Sequence, residues 1–220
     1  MKRLFTEICI PTVAALLVIA CVSGSALAVI KQGDNTVNTY CKGSVLSDLK
    51  MRADNGNADA LYEYGLLLFF AHCLPEDPAT GLSLLKMAAS KGHIEAAFSL
   101  GDIYADKSLP DLYNADKAHE YLLLAAEKNH VLAQHILGII LSRGDLGVDH
   151  QHQGLYWLGV AASKSHKLSA VIMGHYYQYG KYGIKQDPCL ARDWYELCLI
   201  LGVQGAINLI NTIDAEHTCN

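Results

Sequence analysis

Proline is scarce in this chain, five residues in 220, and no block of like charges occurs in it. No stretch after residue 31 sustains an apolar–polar alternation of period two, so a strand-built fold is excluded. Net charge is −5 and no basic stripe is present, which leaves nothing to displace counterions from nucleic-acid phosphate. There is no Asn-x-Ser/Thr sequon, which gives no support to a eukaryotic secretory protein. A phosphate loop, a dinucleotide fingerprint and a His-Glu-x-x-His metal motif are all missing. What is abundant is alanine and leucine, both good helix formers. The apolar fraction is 51% and the charged fraction 18%, so the chain has the means to bury a core.

The N-terminus reads as an export signal. Lys2 and Arg3 precede an apolar stretch from Ile8 to Ala20, and Ala26-Leu27-Ala28 is a small-x-small cleavage site. Two alternatives stay open. Val18-Ile19-Ala20-Cys21 resembles a lipobox, which would place a lipid on Cys21. The 23 uncharged residues from Ile8 to Ile30 are also long enough to remain as a membrane anchor. Each reading puts the remainder in the cell envelope: a periplasmic protein, soluble or held at the membrane through Cys21 or that anchor.

An internal repeat follows. Segments beginning at Gly56, Gly92, Asn129, Ser165 and Gly202 are spaced by 36, 37, 36 and 37 residues. Nine residues into the first four stands Gly65, Gly101, Gly138 or Gly174, with Asn211 in the fifth. Four residues in stands Ala60, Ala96, Ala133, Ser169 or Ala206. A small or apolar pair precedes each later start: Ala88-Ala89, Ala125-Ala126, Ala161-Ala162, Cys198-Leu199. Each unit reads as two helices. The first carries the small residue, an apolar residue (Tyr64, Leu100, Leu137, Met173, Ile210) and the glycine on one face. A mid-helix glycine costs about 1 kcal/mol against alanine, so its recurrence marks a close helix crossing. The second helix starts after Asp77-Pro78, near Asp116, near Gln153 and after Asp187-Pro188, and ends at the next unit's Gly, Asn or Ser. Its packing face is assigned to Leu84, Tyr121, Trp157 and Trp194.

Leu100-Gly101-x-x-Tyr104, the Gly180 to Asp187 loop, Ala191-x-x-Trp194-Tyr195 and Ala88-Ala89-x-x-Gly92 together resemble the Sel-one-like repeat, a relative of the tetratricopeptide repeat. The resemblance covers residues 56–213. It departs in the first unit, whose loop from Cys73 to Asp77 lacks glycines, and in the fifth, which keeps only one helix. The resemblance implies an all-α, right-handed superhelical solenoid of antiparallel helix pairs, with four full repeats, capping helices at both ends and about eleven helices in all. The expected organisation is a signal at 1–28, a segment with a capping helix at 29–55, repeats at 56–213 and a tail at 214–220.

By analogy with tetratricopeptide arrays, the first helices line a concave groove. The outward positions are then Asp59, Tyr62, Leu66 and Phe69; Glu95, Phe98 and Asp102; His135 and Ile139; Val171, His175 and Gln178. The resemblance implies a non-enzymatic binding module that docks a protein or peptide there, without a cofactor. A specific version is an immunity protein against a phospholipase effector delivered by type VI secretion. The alternative is an envelope enzyme acting on β-lactams or peptidoglycan fragments. Ser47-x-x-Lys50 and Ser83-x-x-Lys86 have the spacing of a serine β-lactamase nucleophile, but the accompanying Ser-Asp-Asn and Lys-Thr-Gly elements are absent. His93, His130 and His166 share one repeat slot, which register explains without a ligand role. His150 and His152 form a loop pair with no identifiable third ligand, so no metal is assigned.

Five cysteines follow the signal. Antiparallel helices pair residues equidistant from their turn. The turn at Gly56 sets Cys41 opposite Cys73, and the turn at Gly202 sets Cys189 opposite Cys219. Cys198 remains, in a slot held by alanine in other repeats, and should be a buried thiol.

Overall fold

The computed structural model describes residues 43–70 and 74–219. The export signal, Cys21 and the Cys41–Cys73 pairing lie outside the described residues. Among the described residues there are ten α-helices and no strand. They are α1 (Gly43–Asp54), α2 (Ala58–Phe69), α3 (Pro78–Ser90), α4 (Ile94–Ala105), α5 (Ala115–Glu127), α6 (Val131–Arg143), α7 (Gln151–Ser163), α8 (Lys167–Tyr179), α9 (Pro188–Ile200) and α10 (Ala206–Glu216). A single 3₁₀ turn, Val148–His150, precedes α7.

The chain divides within α3 into two compact units, one through Leu84 and one from Leu85. In the first, α1 packs on α2, and the first turn of α3 lies against α2. In the second, α4 pairs with α5, α6 with α7 and α8 with α9. The second member of each pair then packs on the helix that follows it.

The repeat starts fall where the chain turns back. Gly56, Gly92, Asn129, Ser165 and Gly202 all have left-handed backbone, with φ between 67° and 85°. Around Asn129 the Asn129 N–H donates to the Ala126 carbonyl at 3.0 Å and the His130 N–H to the Ala125 carbonyl at 3.1 Å. The pattern repeats at Ser165–His166 on Ala162 and Ala161, and at Gly202–Val203 on Leu199 and Cys198. This paired closure satisfies the orphan carbonyls of a helix end and needs a left-handed residue at its pivot. The small or apolar pair before each later start therefore supplies both accepting backbone carbonyls.

The recurring glycine marks the crossing inside each hairpin. A Cβ added at Gly101 would stand 2.6 Å from Leu122 Cγ, and at Gly138 2.7 Å from Leu158 Cγ and 2.9 Å from the Leu158 backbone nitrogen. At Gly174 it would collide with the Tyr195 ring. The packing face of the second helices is thus one residue further on than the sequence suggests. Leu85, Leu122, Leu158 and Tyr195 are fully buried. Leu84, Tyr121, Trp157 and Trp194 are only partly so, because one residue turns a helix by about 100° and carries the side chain off the seam. One turn earlier the second helices carry their own small slot: Gly81, Ala118, Gly154 and Ala191, all buried. Gly154 lies against the Ser142 backbone, so the α6–α7 crossing has glycine on both sides.

At the C-terminal end, Cys189 and Cys219 are disulfide-bonded across a sequence separation of 30, with Cα atoms 5.3 Å apart. Cys219 packs against a core of Ala191, Tyr195, Cys198, Ala206, Ile210 and Ile213. Cys198 is free and fully buried, and burial pushes its thiol pKa up to about 11. It is therefore a packing group and not a nucleophile.

Candidate functional site

The twelve outward positions divide. In the first unit Asp59 is exposed and Tyr62 half-buried, whereas Leu66 and Phe69 are buried. In the second unit Glu95 is exposed, and Asp102, Ile139, Val171, His175 and Gln178 are half-buried, but Phe98 and His135 are buried at 1% and 0% exposure. Phe98 and His135 are corrections to the reading of an open face, and each has the same cause. Phe98 stacks on the His130 ring with centroids 4.3 Å apart, and His135 lies 4.3 Å from the His166 ring. The residue six places into a repeat therefore packs under the residue that opens the next repeat's first helix. Leu66 and Phe69 are buried on α2, and the first turn of α3 lies against Phe69.

The three in-register histidines are helix caps. Nδ1 of His93 accepts from the Ala96 N–H at 3.0 Å, that of His130 from Ala133 at 3.1 Å and that of His166 from Ser169 at 3.3 Å. Asn57 does the same for α2 through Oδ1, accepting from Ala60 at 2.9 Å. An imidazole caps in this way only through an unprotonated Nδ1. The sequence held this signal, since each histidine follows a left-handed pivot and precedes a small residue by three.

The loops leading out of the first helices close with the N–H of the next cap donating to a carbonyl twelve residues into the repeat. Asp77 donates to Leu68, Asn114 to Tyr104 and Asp187 to Tyr177. The same three residues cap α3, α5 and α9 through their side chains. The third repeat departs. There α6 ends on left-handed Gly144, the chain passes through the 3₁₀ turn, and His150 stands in the cap slot without a capping bond.

His150 is left to face outward. Its Nδ1 lies 3.3 Å from Gln153 Oε1, and its ring is 6.4 Å from that of His119 on α5. With His152, Leu123, Tyr156 and Trp157 these residues line a pocket of about 660 Å³ between α5 and the start of α7. Burial, and then the neighbouring His150 ring, lower the His119 pKa. Tyr156 is 63% exposed, and Val148 and Leu124 nearby in sequence are 72% and 42% exposed. The pocket was not legible as a site, because it joins residues more than thirty positions apart through an irregular loop. The sequence did show the loop pair His150 and His152; the structure adds His119.

The lysines of the two Ser-x-x-Lys runs are otherwise engaged. Lys50 pairs with Asp54 at 2.8 Å, and Lys86 Nζ lies 6.0 Å above the Tyr104 ring. Among the described residues no three His, Cys, Asp or Glu side chains are grouped so as to hold a metal ion.

Hairpins joined by shared turns, with a small residue at each crossing, define a helical-repeat protein of the tetratricopeptide class. Residues 94–130, 131–166 and 168–197 match the Sel1 repeat, and residues 40–106 match the plant tetratricopeptide repeats. The chain is a Sel1-repeat protein, and repeats of this class generally mediate protein–protein interaction. It is similar in structure to a Sel1 repeat protein from Oxalobacter formigenes, at 19% identity and a TM-score of 0.59, over 80% of this chain and 67% of that one. It also matches c5321, a protective antigen of uropathogenic Escherichia coli, at 19% identity and a TM-score of 0.39, over 77% of this chain and 44% of that one. Immunity protein Pa5087 from Pseudomonas aeruginosa matches at 14% identity and a TM-score of 0.43, over 79% and 69% of the two chains. None of the curated proteins matches the chain.

Proposed function

We propose that the chain is a non-enzymatic scaffold of the bacterial envelope that docks a protein partner on the surface formed by α5 and the start of α7. The observation that carries this reading is the pocket at the third repeat. It is the place where the repeat abandons its own loop geometry, and there it presents Tyr156, Trp157, Leu123 and three imidazoles to solvent. Exposed aromatic groups beside polar donors are the usual anchors of protein recognition. The buried members of the first-helix face are unavailable for that purpose, so the exposed Asp59 and Glu95 and the half-buried positions there serve at most as a second contact.

The finer reading is an immunity protein whose partner is a phospholipase effector delivered by type VI secretion. Its support is the combination of an export signal with a small repeat array. The test is survival of a deletion strain among sister cells, complemented with the parent gene or with Tyr156→Ala. The reading requires that deletion costs survival and that the variant fails to restore it while keeping its helicity. Unimpaired survival of the deletion strain would end the immunity reading. Partner capture unchanged by Tyr156→Ala would move the docking surface elsewhere. Turnover of a β-lactam or a peptidoglycan fragment by the pure protein would replace the scaffold with an enzyme.

A further inference from the structure

Two successive joints of the second unit occupy the same repeat slots with different chemistry. At the joint of the second and third repeats, Phe98 stacks on His130 above Ala133. At the joint of the third and fourth repeats, the phenylalanine slot holds His135 and the alanine slot holds Ser169, and both are fully buried. Ser169 Oγ lies 2.8 Å from His135 Nδ1 and 3.0 Å from His166 Nδ1.

The protons at this joint are determined by counting. His166 Nδ1 already accepts the Ser169 backbone N–H, so it carries no proton. The serine hydroxyl has one proton and donates it to His166, so it accepts from His135, whose Nδ1 is protonated. His135 Nε2 is then a bare lone pair, buried and without a hydrogen-bond partner. A proton added at His166 Nδ1 would face two donors and release the cap of α8. A proton added at His135 Nε2 would set a full charge in the core, beside a second imidazole.

We infer that acid opens the joint of the third and fourth repeats, parting the first turn of α8 from α6, while the joint built on Phe98 and His130 resists. The groups facing the pair are few. His166 faces His135 from the start of α8, and Ser169 does not ionise. Lys164, at the end of α7, reaches Asn129 and Gln134 and brings positive charge to the same side. At His130 the neutral ring keeps Nδ1 for the α6 cap and donates Nε2–H to the Glu95 carboxylate, 3.3 Å away, so the charge of a protonated ring is offset there by a carboxylate and lies beside Phe98 instead of a second imidazole. Burial, and then the His166 ring, push the His135 pKa down to about 3, and burial lowers that of His166. An opened joint hydrates both rings and returns them towards the ordinary imidazole value, so protons bind the open form and favour it.

The test is hydrogen exchange of the full chain at about pH 7 and about pH 5, corrected for intrinsic rates, comparing the first turns of α8 and α6. One proton taken up only by the open form raises its population by about thirtyfold at pH 5. Protection in α8 should fall by that order, and protection in α6 by much less. The double variant His135→Phe with Ser169→Ala installs the residue pair of the preceding joint and should bring the acid-dependent loss in α8 down to the level seen in α6. Ser169→Ala alone removes His135's hydrogen-bond partner and should keep that loss. Acid-induced exchange in α8 equal to that in α6, or equal in the parent and the double variant, would overturn the inference.

Discussion

The turns that lead into the first helices and the loops that lead out of them obey different constraints. All five turns in use one left-handed pivot, and four of them add a side-chain cap from the residue that follows it. That residue also donates the backbone bond that closes the preceding helix, so one position ends one element and begins the next. An insertion there would break both. Three of the loops out share a closing bond and a side-chain cap from one residue, and the third repeat dispenses with both in favour of a 3₁₀ turn and an outward histidine. The turns in are thus built alike throughout, and the exposed pocket arises where one loop out departs from the others.

The sharpest way to break the constant side is at the helix crossing. Gly138→Leu drives a side chain into Leu158 and the α7 backbone, and should cost about 3 kcal/mol, the upper end for overpacking. A urea midpoint equal to the parent's would mean that the crossing relaxes freely. Acid is the next largest perturbation. The His135 pKa is lowered to about 3, and those of His166, His175 and His119 are lowered too, in each case first by burial. The unfolded chain therefore binds more protons below about pH 6.5, and stability falls as pH falls from there. His135 alone should remove about 3 kcal/mol by pH 4, read as a falling urea midpoint, and His135→Phe should flatten that profile.

Much of this division was visible before any coordinates. The pivots, the small pairs and the recurring glycine each occupy one slot, and a slot constrained by backbone geometry leaves a residue type behind. The pairing of Cys189 with Cys219 followed from the same register. What the pattern could not resolve was facing. Tyr121 and Leu122 are both apolar, and only the crossing decides which one enters the seam. Phe98 and His135 resemble surface residues of their own helix, because what buries them is the cap of the following repeat. The pocket depends on an irregular loop, which has no period to read.

Two smaller effects sharpen the comparison. Ser165 holds a left-handed backbone that serine adopts at a cost, φ 67°, in a slot where other repeats use glycine or asparagine. Ser165→Gly should raise stability by about 1 kcal/mol in thermal melts, and a loss would show that the serine hydroxyl matters more than the backbone. On the variable side, Tyr156→Ala removes a ring that is 63% exposed and should shift stability by less than about 0.5 kcal/mol while weakening partner capture. A large loss of stability instead would make the ring part of the fold.

The bridge at the end of the chain has a mechanical consequence. Cys219 is tied to the start of α9, so α10 lies inside a covalent ring that closes over 30 residues. A pull on the C-terminus bypasses α10 and is delivered to the first turn of α9, beneath which Ala191 and Tyr195 are fully buried. While the bridge holds, α10 cannot peel away independently of α9. Unravelling of this end must begin with the concerted release of two helices, or with a reductant.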